Sequence, residues 1–144
     1  MTASAAQTET IIILDFGSQY SQLIARRVRE NGVYSVLARP DVTVEELRAY
    51  HPKGLIFTGG PNSVYEPQAP HADPAVYSLG IPILGICYGI QAMAHQLGGR
   101  VVSPPNHEYG RTEAILDLSC PLFSGLDEWS VVWMSHGDHI ENMP

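Results

Sequence analysis

Apolar residues in this chain fall into short unbroken runs that alternate with stretches of helical spacing. Ile11-Ile12-Ile13-Leu14 is continuous and β-branched, as expected of a strand covered on both faces, and it ends at Asp15-Phe16-Gly17-Ser18. From Gln19 to Asn31, Leu23, Ile24 and Val28 recur at helical spacing with arginines on the other side, and Gly32 stands where a helix would stop. Tyr34 to Leu37 predicts a second strand, and Thr43-Val44-Glu45-Glu46 is a capping box for a short helix reaching about Tyr50. Gly54 to Phe57 predicts a third strand, with Thr58-Gly59-Gly60-Pro61 as a tight turn behind it. In the long proline-containing loop that follows, Asp73-Pro74 has the N-cap and first-turn proline of a short helix through Leu79. Ile81 to Ile86 predicts a fourth strand and Tyr88 to Leu97 a helix closed by Gly98-Gly99, which puts Cys87 at their junction.

Beyond that point helical signals weaken, and Val101-Val102, Thr112 to Leu118 and Trp129 to Met134 read as added strands. Repeated strand-helix alternation implies an α/β fold, a three-layer sandwich with a mostly parallel central sheet and right-handed crossovers. The C-terminal part contributes added antiparallel strands. In such sheets ligands bind outside the carboxyl ends of the strands. Asp15-Phe16-Gly17, Thr58-Gly59-Gly60 and Cys87 all fall at that edge, so three loops distant in sequence are expected to meet.

Composition narrows the function classes. The 144 residues suit one domain, expected over 10–144 behind a flexible N-terminus of residues 1–9. Hydrophobic residues make up 44% and charged residues 16%, a balance that folds. A net charge of -7 disfavours a nucleic-acid partner, and the densest cationic cluster, Arg26, Arg27 and Arg29, reads as a solvated helix face. No apolar run is long enough for a membrane span or a signal peptide, so a soluble cytoplasmic protein is expected. Cys87 and Cys120 have neither zinc-type nor disulfide-type spacing.

Gly85-Ile86-Cys87-Tyr88-Gly89 has the form glycine-x-nucleophile-x-glycine, with a predicted strand before it and a helix after it. A sharp strand-to-helix turn strains the nucleophile, and side chains at the flanking positions would clash where glycine does not. The helix N-terminus is expected to lower the thiol's pKa. The bland alternative is a buried, inert cysteine. Cys120, with no glycine pair and no helix start, reads as structural. For a developing oxyanion, the backbone amide of Tyr88 is one candidate donor and that of Gly60 another, although Gly59-Gly60 alone fits an ordinary tight turn equally well.

Four motifs together resemble the class I glutamine amidotransferases: Leu14 to Tyr20 (LDFGSQY), Thr58 to Tyr65 (TGGPNSVY), Gly85 to Gln91 (GICYGIQ) and Trp133 to Asp138 (WMSHGD). Their wording is similar to the GMP synthase branch of that family, and the resemblance covers Ile11 to Pro144. It implies that the Cys87 thiolate attacks the carboxamide of glutamine, that ammonia leaves, and that water releases glutamate from a thioester. It further implies an ATP-pyrophosphatase partner domain, in the same chain or on a separate polypeptide. That domain uses ATP and Mg²⁺ to aminate xanthosine monophosphate to GMP, and this domain itself needs no cofactor or metal. By the same resemblance Gly60 and Tyr88 donate backbone hydrogen bonds. Gly59, Gln91, Ser135, His136, Gly137 and Asp138 hold the substrate. A carboxylate at Asp138 suits an α-ammonium group, though on its residues alone it fits a turn cap as well. Gln91 alone reads as an exposed helix glutamine.

The family's triad is completed by a His-Pro-Glu motif downstream of MSHGD, and no such motif stands before Pro144. The expectation is an amidotransferase domain incomplete at its C-terminal end, with weak or absent glutaminase turnover for lack of a base. His139-Ile140-Glu141 has the H-x-E spacing but follows MSHGD immediately and reads as a surface turn. His95 lies two turns along the helix from Cys87, and His51, His71 and His107 fall in loops. Two other readings remain open: another cysteine-elbow hydrolase of similar architecture, and a non-catalytic glutamine-binding or regulatory subunit that docks a synthetase.

Overall fold

A computed structural model describes residues 8–103 and 108–144 of the chain. The expectations for residues 1–7 and for His107 fall outside the described residues. The chain forms two compact bodies: one runs through Val101 and takes in Ile140–Pro144, and the other spans Val102–His139.

The first body is built on a parallel sheet of β1 (Thr10–Leu14), β2 (Tyr34–Ala38), β3 (Gly54–Phe57) and β4 (Ile83–Gly85), in the order β2-β1-β3-β4. Ile12 lies opposite Val36 on one side and Leu55 on the other, and Phe57 lies opposite Gly85. The central strands carry the continuous apolar runs because both faces are covered: Ile12, Ile13, Leu14 and Phe57 are fully buried. β4 is shorter than its apolar run predicts: Pro82 cannot donate to a ladder, although its carbonyl accepts from Leu55 N–H (2.9 Å) and Ile86 N–H still donates to the Phe57 carbonyl (3.0 Å).

Helix α1 (Ser21–Glu30) follows β1, α2 (Val44–Arg48) follows β2, and α3 (Tyr88–Gln96) follows β4. The α2 capping box is complete: Glu46 N–H donates to Thr43 Oγ1 (3.3 Å) and Thr43 N–H to Glu46 Oε2 (2.9 Å). Asp73 caps a 3-10 helix, Pro74–Ser78, through the N–H of Ala75 (3.0 Å). The inward face of α1 differs from the expectation. Ser21 and Ala25 are buried and Ile24 and Val28 half-buried, whereas Leu23 is exposed. Small residues are preferred where the helix lies close against β1 and β2. The arginine cluster also divides: Arg26 and Arg27 pair with Glu30 in solvent, while Arg29 turns back to donate to the Ser35 hydroxyl (2.9 Å) and carbonyl (2.8 Å).

After α3, β5 (Arg100–Val102) pairs with β8 (His139–Asn142). The segment His139-Ile140-Glu141 is therefore a strand and not the surface turn expected, because Ile140 packs on the first body's core and Glu141 meets Arg100 (2.9 Å). In the second body, β6 (Glu108–Ile115) and β7 (Trp129–His136) form an antiparallel hairpin, with Arg111 opposite Trp133 and Ile115 opposite Trp129. β6 begins earlier than expected and stops at Ile115, short of Leu118. Along β7, Trp129, Val131 and Trp133 are exposed on one face of the hairpin.

Candidate active site

The backbone at Cys87 is strained. Its φ of 48° and ψ of −116° leave the regions open to side-chain-bearing residues, and only His51 shares a positive φ among described non-glycine residues. The cause is local. The chain must leave β4 and enter α3 within two residues, and Cys87 is the N-cap of that helix. The turn closes only because glycine flanks it. A Cβ on Gly85 would stand 2.7 Å from Ile90 Cα, and one on Gly89 would stand 2.7 Å from the Phe57 carbonyl carbon. Both clashes are with backbone, so the two glycines expected from the motif are sterically required.

The turn after β3 completes the edge. A Cβ on Gly59 would sit 3.3 Å from Cys87 Cβ, so this turn lies directly beside Cys87. A Cβ on Gly60 would press on the Phe16 carbonyl, 3.1 Å from its carbon. Glycine stands at both positions for close approach and not for a left-handed turn, which separates this segment from the ordinary tight turn it resembles in sequence. The three loops do meet: Phe16 N–H donates to Thr58 Oγ1 (2.9 Å), and the Thr58 hydroxyl donates to the Gly59 carbonyl (3.0 Å). Asp15 organises the turn after β1 by accepting from Gly17 N–H (2.9 Å) and the Ser21 hydroxyl (2.7 Å).

Cys87 is exposed, and Cys120 is half-buried beside the short 3-10 helix Pro121–Phe123. The thiol pKa, however, runs opposite to the expectation. The protein wall behind the sulfur strips part of its water, and this desolvation raises the pKa above the ordinary 9.0 even though the outer side of the residue stays open. Alkylation of Cys87 should therefore keep accelerating as pH rises past 9.0, a profile measurable with a simple haloacetamide.

Tyr88, the first residue of α3, has a backbone N–H that the helix leaves without an intrahelical acceptor. Gln91 is buried one turn further on, not exposed as its residue type suggests, and its N–H donates to the Cys87 carbonyl (3.2 Å). His95 stands at the far end of α3, its ring 5.2 Å from Tyr65 and 6.3 Å from His71. The backbone of Ser135 and His136 lies at the end of β7, and Ser135 is exposed. The side chain of His136 lies outside what is described. Gly137 and Asp138 follow, half-buried, ahead of β8. These four residues belong to the second body.

Two tyrosines tie the long loop between β3 and β4 to α3. Tyr77 donates to Gln96 Oε1 (2.6 Å) and Tyr88 to the Pro70 carbonyl (2.6 Å). Burial pushes both phenols from 10.0 up to about 12, with Tyr88 adding to the shift at Tyr77 and Glu66 to that at Tyr88. Unfolding returns each phenol to 10.0, so the stability from keeping them neutral is fully present below pH 10.0 and is lost as pH climbs through about 12. Melting temperature should fall across that window, and Tyr77→Phe should shallow the fall.

Among the described residues no cluster of three His, Cys, Asp or Glu side chains is disposed to hold a metal ion, and no helix is long and apolar enough to cross a membrane.

The profile of the family described as glutamine amidotransferase class-I matches residues 12–144. A GMP synthase [glutamine-hydrolyzing] of Geobacillus kaustophilus is 55% identical over 136 residues, which is 94% of this chain and 27% of that protein. The corresponding protein of Bacillus cereus is 53% identical over 138 residues, covering 96% of this chain and again 27% of its own length. The chain thus spans about a quarter of the length of these relatives. Among solved structures, a GMP synthase-type protein from Thermoplasma acidophilum superposes with a TM-score of 0.80 at 30% identity, over 95% of this chain and 69% of that one. A glutamine amidotransferase from Thermotoga maritima shares the fold, with a TM-score of 0.67 at 21% identity over 94% of this chain and 63% of its own. A strained cysteine between two sterically required glycines, at the edge of a parallel sheet whose sequence matches this profile along nearly its whole length, leaves one family: the chain belongs to the class I glutamine amidotransferases.

Proposed function

We propose that this chain is the glutaminase part of a GMP synthase, hydrolysing glutamine through Cys87 to supply ammonia for amination of xanthosine monophosphate. One observation carries the chemistry: Cys87 is exposed at a strained turn, its Cβ beside Gly59 and its backbone at the N-terminus of α3.

In this reading the thiolate sulfur bonds to the carboxamide carbon and the carbonyl π pair moves to oxygen. The N–H groups of Tyr88 and Gly60 receive that charge, a stabilisation that grows only as the transition state forms. The pair returns, the carbon-nitrogen bond breaks, and the NH2 nitrogen leaves as ammonia after taking up the one proton that the thiol released on ionising. Water then cleaves the thioester to glutamate and free thiol. Gly59, Gln91, Ser135, His136, Gly137 and Asp138 hold the glutamine, the Asp138 carboxylate against the α-ammonium group. Ammonia passes to an ATP-pyrophosphatase partner, where ATP and Mg²⁺ belong, and the setting is the cytoplasm. The similarity to glutamine-hydrolysing relatives at 51–55% identity supports this reading over that of another cysteine-elbow hydrolase.

A glutamine-mimicking electrophile tests it. Mass spectrometry should find one adduct, on Cys87 and not on Cys120, forming at a rate that excess glutamine suppresses. An adduct that glutamine does not suppress would leave the nucleophile but remove the substrate. Calorimetric binding of glutamine with no adduct at Cys87 would favour a non-catalytic subunit.

A further inference from the structure

One buried side chain next to Cys87 in sequence reaches both the loop after β1 and the long loop between β3 and β4. Tyr88 is 2% exposed, and its ring centroid lies 5.6 Å from that of Phe16, which lies 5.3 Å from that of Phe57. Its hydroxyl donates to the Pro70 carbonyl (2.6 Å), in the long loop between β3 and β4. Phe16 is in turn wedged against the other loop: its carbonyl carbon stands 3.1 Å from where a Gly60 Cβ would be, and its N–H is held by Thr58. The two proposed oxyanion donors therefore meet through this cluster. Tyr88 carries one donor on its own backbone, and Phe16 packs against the turn that carries the second.

Position along the helix makes the anchor consequential. A first-turn residue has no intrahelical bond through its own N–H, so the backbone ladder fixes its direction less firmly than it does residues further in. What fixes Tyr88 instead is its side chain, tied by the hydroxyl at one end and by ring packing along its length.

We propose that the side chain of Tyr88 is a positioning residue of the oxyanion hole, holding the N–H of Tyr88 in register with the Gly60 turn through Pro70 and Phe16. The proposal rests on the glutaminase reading above and adds to it a specific role for a side chain that takes no part in bond making.

The test uses a chloroketone analogue of glutamine on the full chain. The Cys87 sulfur bonds to the carbon that bears chlorine, chloride leaves with the bonding pair, and the neighbouring ketone oxygen gains negative charge that the hole stabilises on the way. Tyr88→Phe keeps the ring and loses the hydroxyl. It should lower the limiting labelling rate about tenfold, while leaving the half-saturating concentration and the iodoacetamide rate at Cys87 within about twofold of wild type, a window below the single-bond effect sought. Iodoacetamide is the control because its displacement puts no charge on an oxygen held in the hole.

Tyr77→Phe removes a part-buried hydroxyl bond of the same length (2.6 Å) at the far end of the same helix and should leave the limiting rate unchanged. Phe16→Leu, which trims the ring contact but keeps the hydroxyl bond, should show the same selective loss and reads the proposal out if Tyr88→Phe does not fold. An unchanged limiting rate in Tyr88→Phe overturns the proposal. So does a fall shared equally by iodoacetamide or by Tyr77→Phe, since that would mark a general loosening of the fold. Wild-type labelling that neither saturates nor yields to glutamine would instead overturn the glutaminase reading.

Discussion

Replacing Gly89 by alanine should abolish the native fold of the first body, whereas the same change at Gly80 should cost only about 1 kcal/mol. The contrast follows from what each new methyl group meets. At Gly89 it would stand 2.7 Å from the Phe57 carbonyl carbon and 2.8 Å from Phe57 Cβ. Neither neighbour has room to yield, because Phe57 is fully buried and β3 is hydrogen-bonded on both sides, to β1 and to β4. Relief would require α3 to lift from the sheet, which exposes Tyr88 and Ala92 and separates Cys87 from the β3 turn. A penalty above about 4 kcal/mol is expected, a size reserved for core clashes and comparable to a large fraction of a domain's stability. At Gly80 nothing lies within 4 Å, and only the positive φ of 75° resists a side chain. Urea denaturation of the two variants checks the prediction: a Gly89→Ala protein that unfolds near the wild-type midpoint would mean the elbow is not packed against β3 as described.

Much of this was legible in the sequence, for a physical reason. Strands covered on both faces must be apolar throughout, so Ile11 to Leu14 and Gly54 to Phe57 declare themselves, and helix ends must satisfy or avoid orphan amides, so Thr43-Glu46, Asp73-Pro74 and Gly98 mark their boundaries. The elbow was legible because its sterics admit so few residues at Gly85 and Gly89. Features that depend on neighbours remote in the chain were not. Leu23 looks like a core residue by spacing, yet Ser21 and Ala25 take the buried face because their small size suits a helix lying close on the sheet. His139-Ile140-Glu141 carries no strong strand signal, and its pairing with β5 is decided by Ile140 and by Glu141 meeting Arg100. The helix terminus alone predicts a downward shift for the Cys87 thiol, because the cost of desolvation cannot be read from a sequence. The burial of Gln91 and the bond from Tyr88 to Pro70 were hidden for the same reason. Both require knowing which loop the fold lays over α3.

The strain at Cys87 yields the second large effect, in which stability and chemistry move in opposite directions. A φ of 48° with a ψ of −116° is a conformation that glycine adopts freely and that costs other residues on the order of 1 to 3 kcal/mol. Cys87→Gly should remove that cost. Part of the gain is offset by the larger chain entropy of glycine in the unfolded state, about 0.5 to 1 kcal/mol, and little burial is forfeited because the side chain is exposed. A net stabilisation of about 1 kcal/mol is expected, or roughly 2 to 4 °C in melting temperature for a chain of this size. The same substitution removes the sulfur, so labelling by the glutamine-mimicking electrophile should vanish and any glutamine-dependent ammonia release should be lost with it. Glutamine binding measured by calorimetry should persist, since the groups assigned to hold the substrate are untouched. Cys87→Ala separates the two causes: it loses the chemistry equally but keeps a Cβ, and so should melt close to wild type. A cysteine retained for packing would behave in the reverse manner, with both variants melting lower and Cys87→Gly the worse of the two. The ordering of the three melting temperatures therefore decides whether the chain tolerates strain at this position for the sake of the sulfur.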